Sequence, residues 1–147
     1  TSMPIPMNNQ GIEAAINEWK VNPYLREIRT LPNVLVLKLM VFKVIDGVYR
    51  KDFTKVPIPI ELTLQSNGAR KEEAVYELIS TVMHLGDENG GHYISVFKAC
   101  DRIIVGDDAN FWALNDEQFE KFLDLNEIPG SEQCSAPCIL FYHKMKM

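Results

Sequence analysis

The chain has 147 residues, 46% hydrophobic and 24% charged, with a formal net charge of −5 at pH 7. That length is room for one domain with a real core, residues 1–147, and the balance excludes a disordered chain. The negative sign argues against a non-specific nucleic-acid binder, which carries the opposite charge. No run approaches the roughly 18–20 apolar residues of a membrane span. The longest, residues 34–42, is broken by Lys38. The start has no basic flank or long apolar stretch, so no signal peptide is expected. Thr1-Ser2 ahead of Met3 is expected to be a cloning remnant. Three cysteines without framework spacing read as reduced thiols of an intracellular protein, in cytoplasm or nucleus.

In chain order, Ile12, Ala15, Ile16 and Trp19 share one face of a short helix. Asn8 or Asn9 is its expected cap, and Pro23 lies past its end. Residues 34–42 form a nearly continuous β-branched and aliphatic run, which predicts a strand buried on both faces. Asp46-Gly47 then predicts a hairpin returning through Val48 and Tyr49. Two prolines restrict residues 55–60 to an edge or extended segment, and residues 65–73 are polar enough for a surface loop. Further strands are predicted at 76–83, 93–97, 102–105 and 111–114, with a glycine-rich turn over 85–91. Asn115 with Gln118 three residues on suggests a capping box for a helix whose apolar face is Phe119, Phe122 and Leu123. A last strand covers 138–142. The expected fold class is α+β: a mostly antiparallel sheet with two short helices.

His92 opens a strand directly after Gly90-Gly91, and Asp107-Asp108 follows fifteen residues later. A hairpin between their strands would bring His92 and Asp107 together. A carboxylate beside an imidazole fixes its tautomer and stabilises the imidazolium. A purely structural histidine at a strand end fits the same residues. His84 is expected to make a structural hydrogen bond. Cys134 and Cys138, spaced C-x3-C without a second pair, read as filling and a surface thiol, and no metal site is expected. Lys38 is expected to snorkel to the sheet edge, and Trp19 and Trp112 to anchor core or interface.

Taken in order, Tyr76-Glu77-Leu78, Val82-Met83-His84-Leu85-Gly86, Gly90-Gly91-His92-Tyr93, Asp107-Asp108 and Ile139-Leu140-Phe141-Tyr142 resemble the C-terminal half of a ubiquitin-specific protease catalytic domain. Residues 31–37 and 10–15 resemble the family's segments upstream of that half. The resemblance covers nearly the whole chain. It implies the His/Asp-bearing half of a papain-like cysteine protease fold. It also implies a deubiquitinating thiol protease that hydrolyses the bond after ubiquitin's C-terminal glycine. By that resemblance His92 is the general base and Asp107 orients it. Asp108 is expected either to serve at the developing oxyanion as a second acid or simply to end its strand. Gly90, Gly91 and Tyr93 flank a channel for the ubiquitin tail, and the loops at 46–54 and 85–91 border it. No cofactor is implied. The implied partners are ubiquitin or a ubiquitinated protein and the missing N-terminal half, with no nucleic acid and no membrane.

The family's nucleophilic cysteine and its upstream asparagine lie in an N-terminal box that this chain lacks. Cys100, Cys134 and Cys138 all follow His92, so the chain alone is expected to have no turnover. Met40-Val41, Ile103 and Gly106 depart from the residues the family usually carries there, and the zinc-binding cysteine pairs are absent. These changes support an alternative: an inactive relative acting as a ubiquitin- or protein-binding scaffold.

Overall fold

The computed structural model describes residues 2–68 and 70–145. Its elements are β1 (Ser2–Ile5), α1 (Ile12–Val21), β2 (Val34–Leu39), β3 (Phe42–Ile45), β4 (Val48–Lys51) and β5 (Glu61–Gln65). They continue as β6 (Glu73–Asp87), β7 (Gly90–Ala99), β8 (Arg102–Asp107), β9 (Asn110–Leu114), α2 (Asp116–Leu125) and β10 (Ser135–Lys144). The main sheet runs β1-β2-β10-β6-β7-β8-β9, with β5 also on β6, while β3 and β4 form a separate hairpin. Every pairing is antiparallel except β1 on β2. This is the expected α+β class.

The apolar pattern explains most elements. In β2, Leu35, Leu37 and Leu39 are buried while Val34 and Lys38 are exposed. The strand therefore covers the core with one face, not two, and Lys38 is exposed on the other face of an inner strand rather than snorkelling to the sheet edge. The run also stops short of residue 42, because Phe42 starts the separate hairpin. Asp46 and Gly47 both take positive φ, 51° and 78°, the backbone that a two-residue turn matched to strand twist demands.

β6 is the spine of the sheet. Its fifteen residues pair with β10 along one edge and with β5, then β7, along the other. It absorbs much of the expected 85–91 turn, which shrinks to Glu88-Asn89 between the paired Asp87 and Gly90. β5 and the start of β6 replace both ends of the predicted 65–73 loop, of which Ala69 lies outside the described residues. The β5 signal was a plain period of two, Glu61-Leu62-Thr63-Leu64-Gln65, with Leu62 and Leu64 buried. β1 carries Pro4, which an edge strand tolerates because its outer donors face no partner. Thr1 of the expected remnant lies outside the described residues, and Ser2 opens β1.

Gly11, not Asn8 or Asn9, stands at the N-cap of α1, with φ 108°. A side chain there would press on the Pro57 carbonyl. Asn8 instead accepts from the Gln10 amide and reaches Glu18. At α2 the capping box forms as expected, Asn115 and Gln118 exchanging bonds of 2.8 and 2.9 Å. Each helix turns one apolar face into a cluster shared with the sheet. Tyr76 and Tyr142 lie fully inside it, their hydroxyls donating to the Pro32 and Pro59 carbonyls at 2.6 and 2.7 Å.

Candidate active site

The β7–β8 hairpin pairs Ser95 with Gly106. Continued one step, that register sets Asp107 opposite Ile94. Side chains two residues apart on a strand share a face, so His92 and Asp107 become diagonal neighbours on one face of the sheet. Leu85, the cross-strand partner of His92, shares that face. So does Trp112, which pairs with Val105. The His92 Nε2 lies 2.5 Å from Asp107 Oδ1. A carboxylate can only accept, so Nε2 carries the proton and Nδ1 is the nitrogen with a free lone pair.

Asp107 is the main reason that the His92 pKa is raised above its ordinary 6.5. Its hydrogen bond acts first, desolvation opposes it less strongly, and the charges of Asp107 and Asp108 add smaller contributions to the rise. Asp108 stands 3.9 Å from Nε2, too far to hydrogen-bond, and is largely exposed on the turn to β9. The three groups are close enough to raise the question of a metal, since their ligand atoms lie within 4.8 Å of one another. The 2.5 Å approach of His92 to Asp107 is nevertheless a hydrogen-bond separation. Two ligands on one zinc at about 2.0–2.1 Å each would stand roughly 3 Å apart.

The two glycines do different work. A Cβ at Gly91 would run into the His84 ring and the Leu85 carbonyl, whereas a Cβ at Gly90 would meet nothing within 4 Å. Gly91 is thus required by the packing, and Gly90 leaves open space on the His92 side of β7. Gly91→Ala is expected to lower stability by about 1–3 kcal/mol through overpacking. Gly90→Ala is expected to stay within about 0.5 kcal/mol, and urea unfolding midpoints of the two variants check both.

Tyr93 is separated from the His92–Asp107 pair, because alternation sends it to the other face. There its ring meets His84, with centroids 5.0 Å apart, and Phe42 of the β3–β4 hairpin meets His84 from another side at 4.9 Å. His84 does not make the expected structural hydrogen bond. It is buried inside β6, its Nδ1 has no partner among the described residues, and aromatic packing holds it instead. Burial, aided by the charge of Lys51, lowers its pKa below 6.5.

An open groove of about 750 Å³ adjoins the pair, lined by Leu85, His92, Ile94, Asp107, Trp112 and the 128–133 loop. The loop and Trp112 escaped the sequence reading of the site. Register alone marks Trp112, while the loop arrives through α2, whose C-cap Asn126 ties it to Val56 by bonds of 2.9 Å in both directions.

Comparison with known proteins identifies the family. A ubiquitin carboxyl-terminal hydrolase family model matches residues 13–142. The chain belongs to the ubiquitin carboxyl-terminal hydrolase family. It is 34% identical over 121 residues to ubiquitin carboxyl-terminal hydrolase 12 of Salmo salar, covering 78% of this chain and 32% of that protein. It is 30% identical over 130 residues to ubiquitin carboxyl-terminal hydrolase creB of Emericella nidulans, covering 82% of this chain and 16% of that protein. Among solved structures, the yeast SAGA DUB module with an Sgf73 mutant superposes with a TM-score of 0.75 at 20% identity, over 99% of this chain and 34% of that chain. The SAGA DUB module bound to ubiquitin aldehyde gives 0.74 at 19% identity, over 99% and 36%. The chain thus spans about a third or less of these relatives. Its fold is that of a fragment of a papain-like, ubiquitin-specific protease catalytic domain.

Of the departures named from the sequence, Val41, Ile103 and Gly106 are accommodated by local packing, while Met40 is exposed. A Cβ at Gly106 would sit 2.9 Å from Ser95 Oγ and 3.2 and 3.3 Å from the rings of Phe111 and Phe97. Those rings fill the room that a larger residue at 106 would need. Ile103 packs against the core, and Val41 is buried. No cysteine sulfur hydrogen-bonds His92 among the described residues. Cys100 sits on the β7–β8 turn, at the far end of β7 from His92, and Cys138 bonds only weakly to Ala136. Burial pushes the Cys138 thiol pKa up, away from the nucleophilic thiolate. Among the described residues no helix is long and apolar enough to cross a membrane.

The two histidines are expected to titrate on opposite sides of 6.5 in ring-proton NMR. His92 titrates above it, and Asp107→Asn draws its midpoint down by removing the carboxylate charge. His92 therefore contributes stability that is complete below pH 6.5 and is lost as pH rises through its raised folded-state value. For His84 the sign reverses. The unfolded chain takes the proton first, so stability falls as pH drops below 6.5.

Proposed function

We propose that this chain supplies the general base and the orienting carboxylate of a deubiquitinating thiol protease. The complete protein hydrolyses the peptide or isopeptide bond after ubiquitin's C-terminal glycine. The observation that carries this reading is the His92–Asp107 pair, with Nε2 committed to the carboxylate and Nδ1 left to accept a proton. A cysteine outside this chain gives its proton to Nδ1 and attacks the carbonyl carbon of the last glycine. The resulting imidazolium, held by Asp107, then protonates the leaving amine. Water attacks the acyl-enzyme in the second half, with His92 again the base. Asp108 adds negative charge near the ring from its exposed turn. Gly90 and Gly91 border the path of the ubiquitin tail, and Tyr93 flanks it from the hairpin side. Gly90 fits that role because no neighbouring group demands a glycine there. SAGA DUB module structures bound to ubiquitin aldehyde and to monoubiquitin support ubiquitin as the partner. The protein acts inside the cell, in cytoplasm or nucleus, and needs no cofactor for this chemistry.

The test is a titration of the isotope-labelled chain with unlabelled ubiquitin, followed by amide shifts. Saturable shifts at Gly90, Gly91, Tyr93 and the hairpin are expected. Absence of shifts at high ubiquitin excess removes the claim that this half recognises ubiquitin by itself.

A further inference from the structure

Lys51 is a buried lysine at the end of β4. Its Nζ donates to three backbone carbonyls: His84 at 3.1 Å, Gly86 at 2.7 Å and Cys134 at 3.0 Å. An ammonium has three N–H donors and a neutral amine two, so all three bonds need the charged form. A charge removed from water is tolerated only when its donors are satisfied. Among the described residues no carboxylate touches Nζ, and the compensation comes from carbonyl dipoles.

The three carbonyls mark one junction. The β6–β10 ladder ends with Leu85 opposite Ser135, and the Gly86 amide still donates to Cys134 at 2.9 Å. Lys51 therefore supplies donors where strand pairing runs out, on the residues either side of Leu85, which is the cross-strand partner of His92. Gly86 has φ 103°, and a Cβ there would strike the Gly90 carbonyl and the Gly91 Cα. Whatever fixes Gly86 also fixes the shape of the Gly90–Gly91 segment. A second tie comes from Glu88 on the β6–β7 turn. Its Oε2 accepts from the Lys51 amide at 3.3 Å, and its Oε1 lies 3.7 Å from Arg50 Nη1.

We propose that Lys51, with Glu88, is a positioning residue that locks the β3–β4 hairpin onto the end of β6 and so holds the Gly86–Gly91 cleft in the shape that receives the ubiquitin tail. This rests on the reading of that cleft as the tail path. Lys51→Met keeps the stem and removes the charge and the donors, and Glu88→Gln weakens only the second tie. In the 147-residue chain, Lys51→Met is expected to speed hydrogen exchange at the Gly86 amide by about tenfold or more, with exchange at Leu140 and Tyr142 in the core ladder unchanged. The affinity for ubiquitin falls in parallel by about fivefold or more, and Glu88→Gln moves both in the same direction by less. Gly86 exchange equal to wild type in a folded Lys51→Met chain overturns the lock. Faster exchange with unchanged ubiquitin affinity overturns the positioning role and leaves a structural bond. If Lys51→Met does not fold, Glu88→Gln decides on the same two readouts. A wild-type chain that shows no ubiquitin shifts counts against the proposed function, and the exchange data then judge the lock alone.

Discussion

Replacing His92 by alanine in a protein that joins this chain to its cysteine-bearing half is expected to lower kcat/KM for ubiquitin C-terminal hydrolysis by roughly 10³–10⁴-fold. Without the imidazole the cysteine has no acceptor for its proton and the leaving amine has no donor. Asp107→Ala is expected to cost roughly 10²–10³-fold, because the ring survives but loses its fixed tautomer and the charge that stabilises the imidazolium. Asp107→Asn costs less than Asp107→Ala, since an amide oxygen still accepts from Nε2. The double variant His92→Ala/Asp107→Ala is expected to be no worse than His92→Ala alone, because the carboxylate acts only through the ring. Steady-state hydrolysis of a ubiquitin C-terminal ester or amide measures all four. A loss under about tenfold for His92→Ala would falsify the assignment of the base.

The largest expected stability effect lies far from that pair. Tyr142 is fully buried in β10, the strand between β2 and β6. Burial also pushes its hydroxyl pKa far above the ordinary range. Tyr142→Ala leaves a ring-sized cavity at the centre of the sheet and is expected to cost about 3–5 kcal/mol. For a chain of this size that is a fall in Tm of roughly 6–20 °C. Tyr142→Phe keeps the ring but leaves the Pro59 carbonyl without its 2.7 Å donor. It is expected to cost about 1–2 kcal/mol, with a midpoint between wild type and Tyr142→Ala in the same thermal scan. A Tyr142→Phe variant as unstable as Tyr142→Ala would mean that the hydrogen bond, not the packing, dominates at this position.

Legibility in the sequence followed the range of the forces involved. The Asp46-Gly47 hairpin and the Asn115/Gln118 box were readable because each is settled within four residues. The turns at Cys100-Asp101 and Asp108-Ala109 carried no such local signal, and the first hairpin was expected only from the order of its strands, although Cys100 and Asp108 take positive φ like Asp46. Neither pair carries the glycine that advertises such a turn. β5 was missed where its alternation competed with a polar composition, and β1 where two prolines masked an edge strand. The double burial expected of residues 34–42 failed because an aliphatic run tells how apolar a strand is, not how many layers cover it.

The site divides in the same way. His92 and Asp107 were found from residue type and order, and a simple hairpin register delivered them to one face. Lys51 gave no signal, because a lysine among polar hairpin residues looks like a solvated one. Only the meeting of β4, the end of β6 and the segment before β10 makes it a buried cation with three acceptors.

By itself, then, the sequence determined the class of fold, the family and the His92–Asp107 pairing. All three rest on residue identity, local turn chemistry and antiparallel neighbours close along the chain. The tertiary structure alone decided that Gly91 is held by packing while Gly90 stands open. It also decided that Tyr93 sides with His84 rather than His92, and that Lys51 and Glu88 tie the hairpin to the cleft. Each of these depends on which segments, distant in sequence, the sheet brings within a few ångströms, and no local preference encodes that.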